Sequence, residues 1–144
     1  LSSCEADTVV LVHDAARPLT PPLVTERVID AVAGGAGAVI PVLPVTDTLK
    51  TVDAAGVVVG TPRRSDMVAV QTPQGFRWDV LIRAHEEGAS LGADEARAAT
   101  DDAGLVEAIG GSVQTVAGDE HSMKVTRPLD LALAQILVAE ETSA

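Results

Sequence analysis

The residues Val9-Val10-Leu11-Val12-His13-Asp14-Ala15-Ala16-Arg17-Pro18 decide the plan of the chain. Four apolar residues in succession, three of them β-branched, predict a strand that is buried on both faces, as in a parallel sheet. Asp14 and Arg17 lie on the turn that leaves this strand. Ligands of open α/β sheets bind outside the carboxyl ends of strands, so this pair suits a metal-bound phosphate. The alternative is that Asp14 caps the turn with Arg17 as its surface partner, and the local pattern leaves both interpretations open.

The composition is that of one soluble globular domain. The chain has 144 residues, of which 47% are apolar and 22% are charged. It contains no run of about 18 apolar residues, so no membrane span is predicted. The formal net charge of −11 argues against nucleic acid as a partner, because phosphate contacts need clustered Lys and Arg. Phe76 and Trp78, the two aromatic residues, are too few for stacking on bases.

Cysteine usage and the first residues bear on the cellular location. The single cysteine, Cys4, excludes an internal disulfide and fits the reducing cytoplasm, where we expect the protein. The opening LSSCEAD has neither the basic nor the apolar segment of a signal peptide. Since the chain starts with Leu and soon enters a strand, we expect it to be part of a longer protein.

The next segments predict a helix and a second strand. Thr20 is placed to cap a helix with prolines in its first turn, where missing N–H groups cost little. Val24, Val28 and Val32 give this helix one apolar face. Residues 38–42 are apolar and predict a buried strand, so that strand, helix and strand make a βαβ unit.

Residues 44–71, which we call the arm, show no helical period. Two extended segments flank the turn Asp53-Ala54-Ala55-Gly56, a charged elbow follows at residues 61–66, and residues 67–71 return as a strand. The run Val57-Val58-Val59 would make a poor exposed edge, because an unpaired apolar strand invites association. We therefore expect the arm to be buried in a dimer.

The second half of the chain continues the alternation of strands and helices. Residues 72–76 predict a turn that leads into a helix starting near Trp78. Residues 112–117 predict a further strand, and residues 123–125 a short one. The architecture predicted for the whole chain is a three-layer α/β fold with one extended arm.

Two more helices are predicted from their capping residues. Thr100 is placed to cap a helix whose first turn holds Asp101 and Asp102, where the helix dipole favours acids. Thr126 is placed to cap the last helix. Between residues 129 and 137, that helix carries an apolar stripe at helical spacing.

The polar residues at strand ends suggest phosphoryl chemistry. The chain has no zinc-ligand spacing, no Gly-x-Ser-x-Gly elbow and no Walker loop. What remains are hydroxyls, carboxylates and cations that follow strands, together with Thr48 and Arg64 on the arm. Phosphoryl transfer needs cations for developing oxyanion charge and an Asp for a divalent ion or a ribose. Asp101 and Asp102 fit helix capping at least as well as a metal site.

Five segments together resemble one family. They are VHDAARP (12–18), PVTDTLK (44–50), QTPQGF (71–76), ATDDA (99–103) and MKVTRPLDL (123–131). This order is similar to that of the 2-C-methyl-D-erythritol 4-phosphate cytidylyltransferases of the non-mevalonate isoprenoid pathway. The resemblance implies a Rossmann-like nucleotidyltransferase fold, a three-layer sandwich with the arm. It also implies a single domain over residues 1–144 that is incomplete at its amino terminus.

The resemblance implies transfer of CMP from CTP to methylerythritol phosphate, with release of pyrophosphate, Mg²⁺ as cofactor and a homodimer formed through the arm. Arg64 and Lys124 would orient the substrate phosphate for attack on the α-phosphorus of CTP. Thr48, like Arg64, would reach from the arm into the site of the other protomer. The residues that would line the pocket are Asp14, Arg17, Thr72 and Thr100, with Asp14 as the candidate magnesium ligand.

One part of the family pattern is missing from these residues. The family has an amino-terminal glycine-rich phosphate loop, followed by an Arg and a Lys that stabilise the transition state, and no Gly-x-Gly-x-Arg segment occurs here. We therefore expect the 144 residues alone to be inactive. Two alternatives stay open: a cytidylyltransferase for another polyol phosphate, such as ribitol 5-phosphate, and a non-catalytic dimerisation or binding fragment. His13 is left without a role.

Overall fold

The computed structural model describes residues 4–91 and 101–143, which form a central sheet packed between helices. The strands within these residues are β1 (Val9–Val12), β2 (Ala38–Pro44), β3 (Thr51–Val52), β4 (Val58–Gly60), β5 (Val68–Val70), β6 (Gln74–Arg77) and β7 (Val113–Ala117). The α-helices are α1 (Pro22–Ala33), α2 (Trp78–Leu91), α3 (Asp102–Ala108) and α4 (Pro128–Ser143). Short 3₁₀ turns lie at Arg64–Asp66 and Glu120–Ser122.

The strand β2 organises the five-stranded sheet. Its first residues pair antiparallel with β6, its last residues pair antiparallel with β5, and residues 38–42 pair in parallel with β7. The strand β6 also pairs antiparallel with β1. Consequently β1, β2 and β7 point the same way. The loops that follow β1 and β7 emerge at one edge of the sheet, beside the start of β6.

Apolar side chains cover both faces of this sheet. On one face, Val28 and Val32 of α1 pack with Val39 of β2. On the other face, Phe76 of β6 packs against α2 and α3 through the buried residues Leu81, Ala84, Ala103 and Val106. Each face buries a contiguous apolar cluster, which is the main favourable contribution to folding. The predicted three-layer α/β fold is confirmed.

The prediction of a turn over residues 72–76 is wrong, because Gln74–Arg77 form the strand β6 at the centre of the fold. This strand lies between β1 and β2, so the predicted βαβ unit has an antiparallel strand between its two parallel ones. Gly75 lets α1 lie close against this strand. A Cβ at this position would collide with Val28 of α1 and press on Val32, so only glycine lets the helix lie this close.

The first strand is confirmed, but its predicted burial on both faces is wrong. Leu11 is 36% exposed, and Val9, Val10 and Val12 are half-buried. Within the described residues β1 pairs along one edge only, with β6, so it lies at the border of the sheet.

The helix α1 confirms its predicted apolar face and corrects its predicted cap. Val24, Val28 and Val32 are buried. Pro21 occupies the N-cap position without a side-chain hydrogen bond, and the Thr20 hydroxyl donates instead to the Arg17 carbonyl at 3.1 Å. Thr20 therefore closes the preceding turn and does not cap the helix.

Two other predicted caps are replaced by neighbouring aspartates. Asp101 caps α3 by accepting from the Gly104 N–H at 2.8 Å, whereas Thr100 lies outside the described residues. At α4, the Asp130 carboxylate accepts from both the N–H and the hydroxyl of Thr126, so the acceptor is the acid and not the predicted threonine. An ionised carboxylate is the stronger acceptor for helix N–H groups.

The segment before α4 and the exposed side of α4 also differ from prediction. Residues 123–125 do not form a strand; the Val125 N–H donates instead to the Ala16 carbonyl at 2.7 Å. The predicted stripe of α4 is largely exposed, at Leu129, Ala132, Leu133 and Ile136, whereas Ala134, which is not part of that stripe, is buried. No helix in the described part of the chain is both long and apolar enough to cross a bilayer.

The arm contains a small hairpin of its own. The strands β3 and β4 pair antiparallel, and the Asp53 carboxylate closes their turn by accepting from the N–H groups of Ala55 and Val57. Gly56 adopts a φ of 79°, which glycine accommodates without strain. The valines of the run are exposed, Val59 by 64%, so the hairpin presents an apolar ribbon.

Substitution Gly75→Ala tests the packing of α1 on β6. We expect it to destabilise the protein by about 1–3 kcal/mol, since the added methyl collides with Val28. The measurement is the free energy of unfolding in urea. In a Val28→Ala background the methyl fills vacated space, so Gly75→Ala should cost much less there. Equal costs in both backgrounds would contradict the proposed close approach.

Candidate active site

A cleft opens at the edge of the sheet where β1 and β7 end and β6 begins. Its volume is about 310 Å³. The lining residues are Val12, Asp14, Arg17, Val70, Gln71, Thr72, Gln74, Asp101, Asp102 and Lys124. They come from the turn after β1, the end of the arm, the start of α3 and the loop before α4. The cleft therefore lies where ligands of open α/β sheets bind.

Two cations and one carboxylate form the charged centre of the cleft. The Lys124 Nζ lies 3.0 Å from the Asp14 Oδ2, and the Arg17 Nε lies 3.5 Å from the same oxygen. Backbone bonds hold the two chain segments together: the Arg17 N–H donates to the Asp14 carbonyl at 2.9 Å, and the Val125 N–H donates to the Ala16 carbonyl. These three side chains carry one net positive charge, and Asp101 and Asp102 bring the charge of the whole lining to one net negative. An anionic group is therefore favoured only beside Arg17 and Lys124.

The guanidinium of Arg17 is already used by the protein. Its Nη1 donates to the Ser122 carbonyl at 2.5 Å and its Nη2 to the Val70 carbonyl at 3.3 Å, and the side chain is 12% exposed. Arg17 thus ties the turn after β1 to two neighbouring segments. Lys124, with 49% of its side chain exposed, is the cation of this pair that a ligand can reach.

The ionisation of Asp14 follows from these neighbours. The hydrogen bond from the Lys124 ammonium is the main cause that holds the pKa of Asp14 below its ordinary value of 3.8. Partial burial opposes this, and the charges of Lys124 and Arg17 reinforce it. Asp14 is therefore an ionised acceptor at neutral pH.

Thr72 connects the turn after β1 to the start of β6. Its hydroxyl oxygen accepts from the Asp14 N–H at 3.0 Å and lies 2.8 Å from the Nδ1 of His13. A hydroxyl can donate one bond and accept two, so Thr72 can serve both neighbours at once. The geometry thereby assigns His13 a structural contact.

The acidic pair at the start of α3 serves the helix and its neighbours. Asp101 caps α3 and accepts from the Gln74 Nε2 at 2.7 Å, and Asp102 lies 2.8 Å from the Nε2 of His85. Within residues 4–91 and 101–143, no group of three or more His, Cys, Asp or Glu is arranged to hold a metal ion. The capping interpretation of Asp101 is the one that the structure favours.

The structure brings together four of the residues singled out from sequence: Asp14, Arg17, Thr72 and Lys124. Thr48 and Arg64 do not line this cleft. Arg64 lies on the arm, donates to the Thr46 carbonyl at 2.8 Å and lines separate shallow clefts. Thr48 is exposed on the arm. Thr100 lies outside the described residues.

Sequence reasoning missed the roles of Gln71 and Gln74. Both are buried, and both use their side-chain amides to bond distant backbone groups, at Asp119 and Ala103 respectively. Glutamine within an apolar strand pattern is the one available signal, because a buried amide needs partners.

Comparison with known proteins gives one consistent result. The sequence profile of the family described as "IspD: 2-C-methyl-D-erythritol 4-phosphate cytidylyltransferase" matches residues 1–140. A protein of that name from Rhodococcus jostii (strain RHA1) is 54% identical over 131 residues, 91% of this chain and 55% of the relative. One from Frankia casuarinae is 58% identical over 132 residues, 92% of this chain and 47% of the relative. The chain thus spans about half the length of the curated relatives it matches.

Solved structures with the same names share the fold. A crystal structure of 2-C-methyl-D-erythritol 4-phosphate cytidylyltransferase from Thermus thermophilus matches with a TM-score of 0.76 and 41% identity, covering 90% of this chain and 61% of that one. The protein of that name from Francisella tularensis matches with a TM-score of 0.84 and 28% identity, covering 94% and 62%. The predicted Rossmann-like nucleotidyltransferase fold is therefore confirmed.

Substitution Asp14→Asn tests the charged centre through the pH dependence of stability. A carboxyl whose pKa is lower in the folded protein stabilises the fold above its ordinary pKa, and this contribution is lost as the pH falls through the folded value. We expect the variant to lose up to about 1 kcal/mol at neutral pH, a small amount because the pair is partly exposed. Between about pH 5 and about pH 2 its stability should fall less steeply than that of the parent.

The measurement is the urea unfolding midpoint at each pH, and Asp66→Asn is the control because the ion pair of Asp66 with Arg63 is solvent-exposed. The pKa values of Asp119 and Asp130 are also lowered, mainly by hydrogen bonds from backbone N–H groups. Stability will therefore still fall to some extent at acid pH in every variant. Parallel pH profiles for the parent and Asp14→Asn would contradict the assigned ion pair.

Proposed function

Since this chain belongs to the 2-C-methyl-D-erythritol 4-phosphate cytidylyltransferase family, we propose that the protein containing it transfers CMP from CTP to 2-C-methyl-D-erythritol 4-phosphate in isoprenoid precursor synthesis. The observation that carries this proposal is the charged centre of the cleft. Asp14, Arg17 and Lys124 come from two of the sequence segments that resemble the family, and they meet at the carboxyl edge of the sheet.

The reaction joins two phosphates. A phosphate oxygen of the sugar alcohol attacks the α-phosphorus of CTP, the bond from that phosphorus to the bridging oxygen breaks, and pyrophosphate leaves. Attack by a dianion on a charged phosphate needs cations that hold it and offset the repulsion. Lys124 is suited to this task, because its accessible ammonium can exchange Asp14 for a phosphate oxygen. The Asp14 carboxylate then accepts from hydroxyls of the substrate.

The arm supplies the second set of proposed contacts. Thr48 and Arg64 do not line the cleft of their own chain, and we propose that they reach the cleft of a second copy in a homodimer. The exposed run Val57-Val58-Val59 supports this assembly, because an apolar ribbon of this kind is stabilised by covering it. Arg64 would then place its guanidinium opposite Lys124, with the substrate phosphate between them.

Magnesium is proposed as the cofactor. Mg²⁺ keeps several water ligands and binds through one or two carboxylates together with substrate phosphates, so it does not need a cage of protein ligands. The cleft fits this requirement with the ionised carboxylate of Asp14. When bound, the ion would offset the negative charge of the triphosphate, and Asp14 would be its protein ligand.

A pyrophosphate-release assay on the complete protein that contains these residues tests the function. We expect turnover that needs both CTP and 2-C-methyl-D-erythritol 4-phosphate. Ribitol 5-phosphate is assayed in parallel, because turnover of that substrate instead would identify a ribitol 5-phosphate cytidylyltransferase. If neither polyol phosphate leads to release of pyrophosphate, the proposal is contradicted and a binding or dimerisation role is favoured.

Substitutions Lys124→Ala and Arg64→Ala test the two phosphate-binding cations. Removing a charged donor from developing charge should lower kcat by about 10²-fold, and loss of substrate binding should raise the KM for the polyol phosphate. Steady-state kinetics measures both, and circular dichroism should show unchanged folding. Arg63→Ala is the matched control, because it removes an exposed guanidinium adjacent to Arg64. Wild-type kinetics in the Lys124 and Arg64 variants would remove their assigned roles.

Substitution Val58→Lys tests the arm as the dimer contact. A charge in the centre of an apolar interface should shift the protein from dimer to monomer, because it would be buried without a partner. Sedimentation velocity measures the shift, and activity should fall with it. Leu23→Lys, at an aliphatic side chain on α1 of similar exposure, is the control. A dimer that survives Val58→Lys would exclude the arm as the interface.

A further inference from the structure

We propose that Gln71 is a positioning residue, whose side-chain amide holds the loop that delivers Lys124 to the cleft. The proposal rests on the function given above, in which Lys124 binds the substrate phosphate. Gln71 itself is 4% exposed and carries no charge, so its contribution is geometric. It acts through the backbone of Asp119, before Lys124 in the same loop.

The contact between Gln71 and Asp119 has two points. The Gln71 Nε2 donates to the Asp119 carbonyl at 2.8 Å, and the Gln71 Oε1 accepts from the Asp119 N–H at 3.0 Å. A planar amide that satisfies both groups of one residue fixes its distance and its orientation. Gly118 makes room for this contact, because a Cβ there would collide with the Gln71 amide oxygen.

The loop passes this constraint on to Lys124. The Asp119 carbonyl also accepts from the Ser122 N–H at 3.0 Å, and the Asp119 carboxylate accepts from the His121 N–H at 2.8 Å, which together form the 3₁₀ turn. The Ser122 carbonyl then accepts from Arg17. Lys124 follows two residues later. The backbone from which the Lys124 side chain extends is thus held by a chain of bonds that starts at the Gln71 amide.

The same buried segment contains a natural comparison. Gln74 is buried like Gln71, but its amide bonds to Asp101 and to the Ala103 N–H at the start of α3, away from the Lys124 loop. Methionine in place of either glutamine keeps length and volume while it removes the hydrogen bonds. Gln71→Met therefore removes the hydrogen bonds that hold the Lys124 loop, whereas Gln74→Met removes those that hold the start of α3.

The first test is a double-mutant cycle on kcat/KM in the complete protein. Gln71→Met should lower kcat/KM about 10- to 100-fold, the scale expected when a catalytic group is misplaced by about 1 Å. In a Lys124→Ala background the same substitution should cost less than about twofold, because its target is gone. Gln74→Met should cost the same factor in both backgrounds. Equal costs of Gln71→Met with and without Lys124 would overturn the proposal.

The second test does not depend on turnover. Amide hydrogen exchange of Val125, whose N–H donates to the Ala16 carbonyl, should accelerate at least about tenfold in Gln71→Met. Gln74→Met should accelerate the Ala103 amide and leave that of Val125 unchanged. If Gln71→Met does not fold, Gln71→Asn serves, since it keeps a buried amide that is one methylene too short to hold Asp119 at both points. Unchanged exchange at Val125 would overturn the positioning role of Gln71. If the wild-type protein released no pyrophosphate, only the proposed cytidylyltransferase function would be overturned.

Discussion

The ion pair between Asp14 and Lys124 is the interaction on which the rest of the site depends. It joins the turn after β1 to the loop before α4, and Arg17 braces both ends by bonding the Ser122 carbonyl while it lies beside the same carboxylate. Two cations around one acid leave a local positive charge on this side of the cleft, which the carboxylates of Asp101 and Asp102 also line. Because the Lys124 ammonium is half-exposed, it can exchange Asp14 for a phosphate oxygen, as the proposed function requires.

Hydrogen bonds from three uncharged side chains keep this charged centre in place. The buried segment of residues 71–74 bonds three different loops: Gln71 holds Asp119, Thr72 holds Asp14, and Gln74 holds the start of α3. Because Gln71, Thr72 and Gln74 are uncharged, they fix the geometry without adding charge of their own to the cleft. Preorganisation of this kind is the means by which sites stabilise developing charge at little cost of reorganisation.

The parts of the fold that follow from local pattern could be predicted, and those set by tertiary contact could not. The strand β1 and the helix α1 are evident from the spacing of their apolar residues, and the arm is evident from its lack of a helical period. The strand β6 could not be predicted, because Pro73 and Gly75 are typical of a turn. Its place depends on α1 packing over Gly75. Asp14, Arg17 and Lys124 could be grouped by the strand-end rule and by resemblance. Gln71 and Asp119 pair across 48 positions of sequence, and no local motif predicts such a contact.

A crystal structure of the complete protein with 2-C-methyl-D-erythritol 4-phosphate and a non-hydrolysable CTP analogue tests the central claim most directly. The quantity to measure is the distance from the Lys124 Nζ to the nearest oxygen of the substrate phosphate. Our account predicts a direct hydrogen bond of about 2.7–2.9 Å, with Asp14 turned toward the substrate hydroxyls or the metal ion. A substrate bound elsewhere, with the Asp14–Lys124 pair still closed, would contradict it.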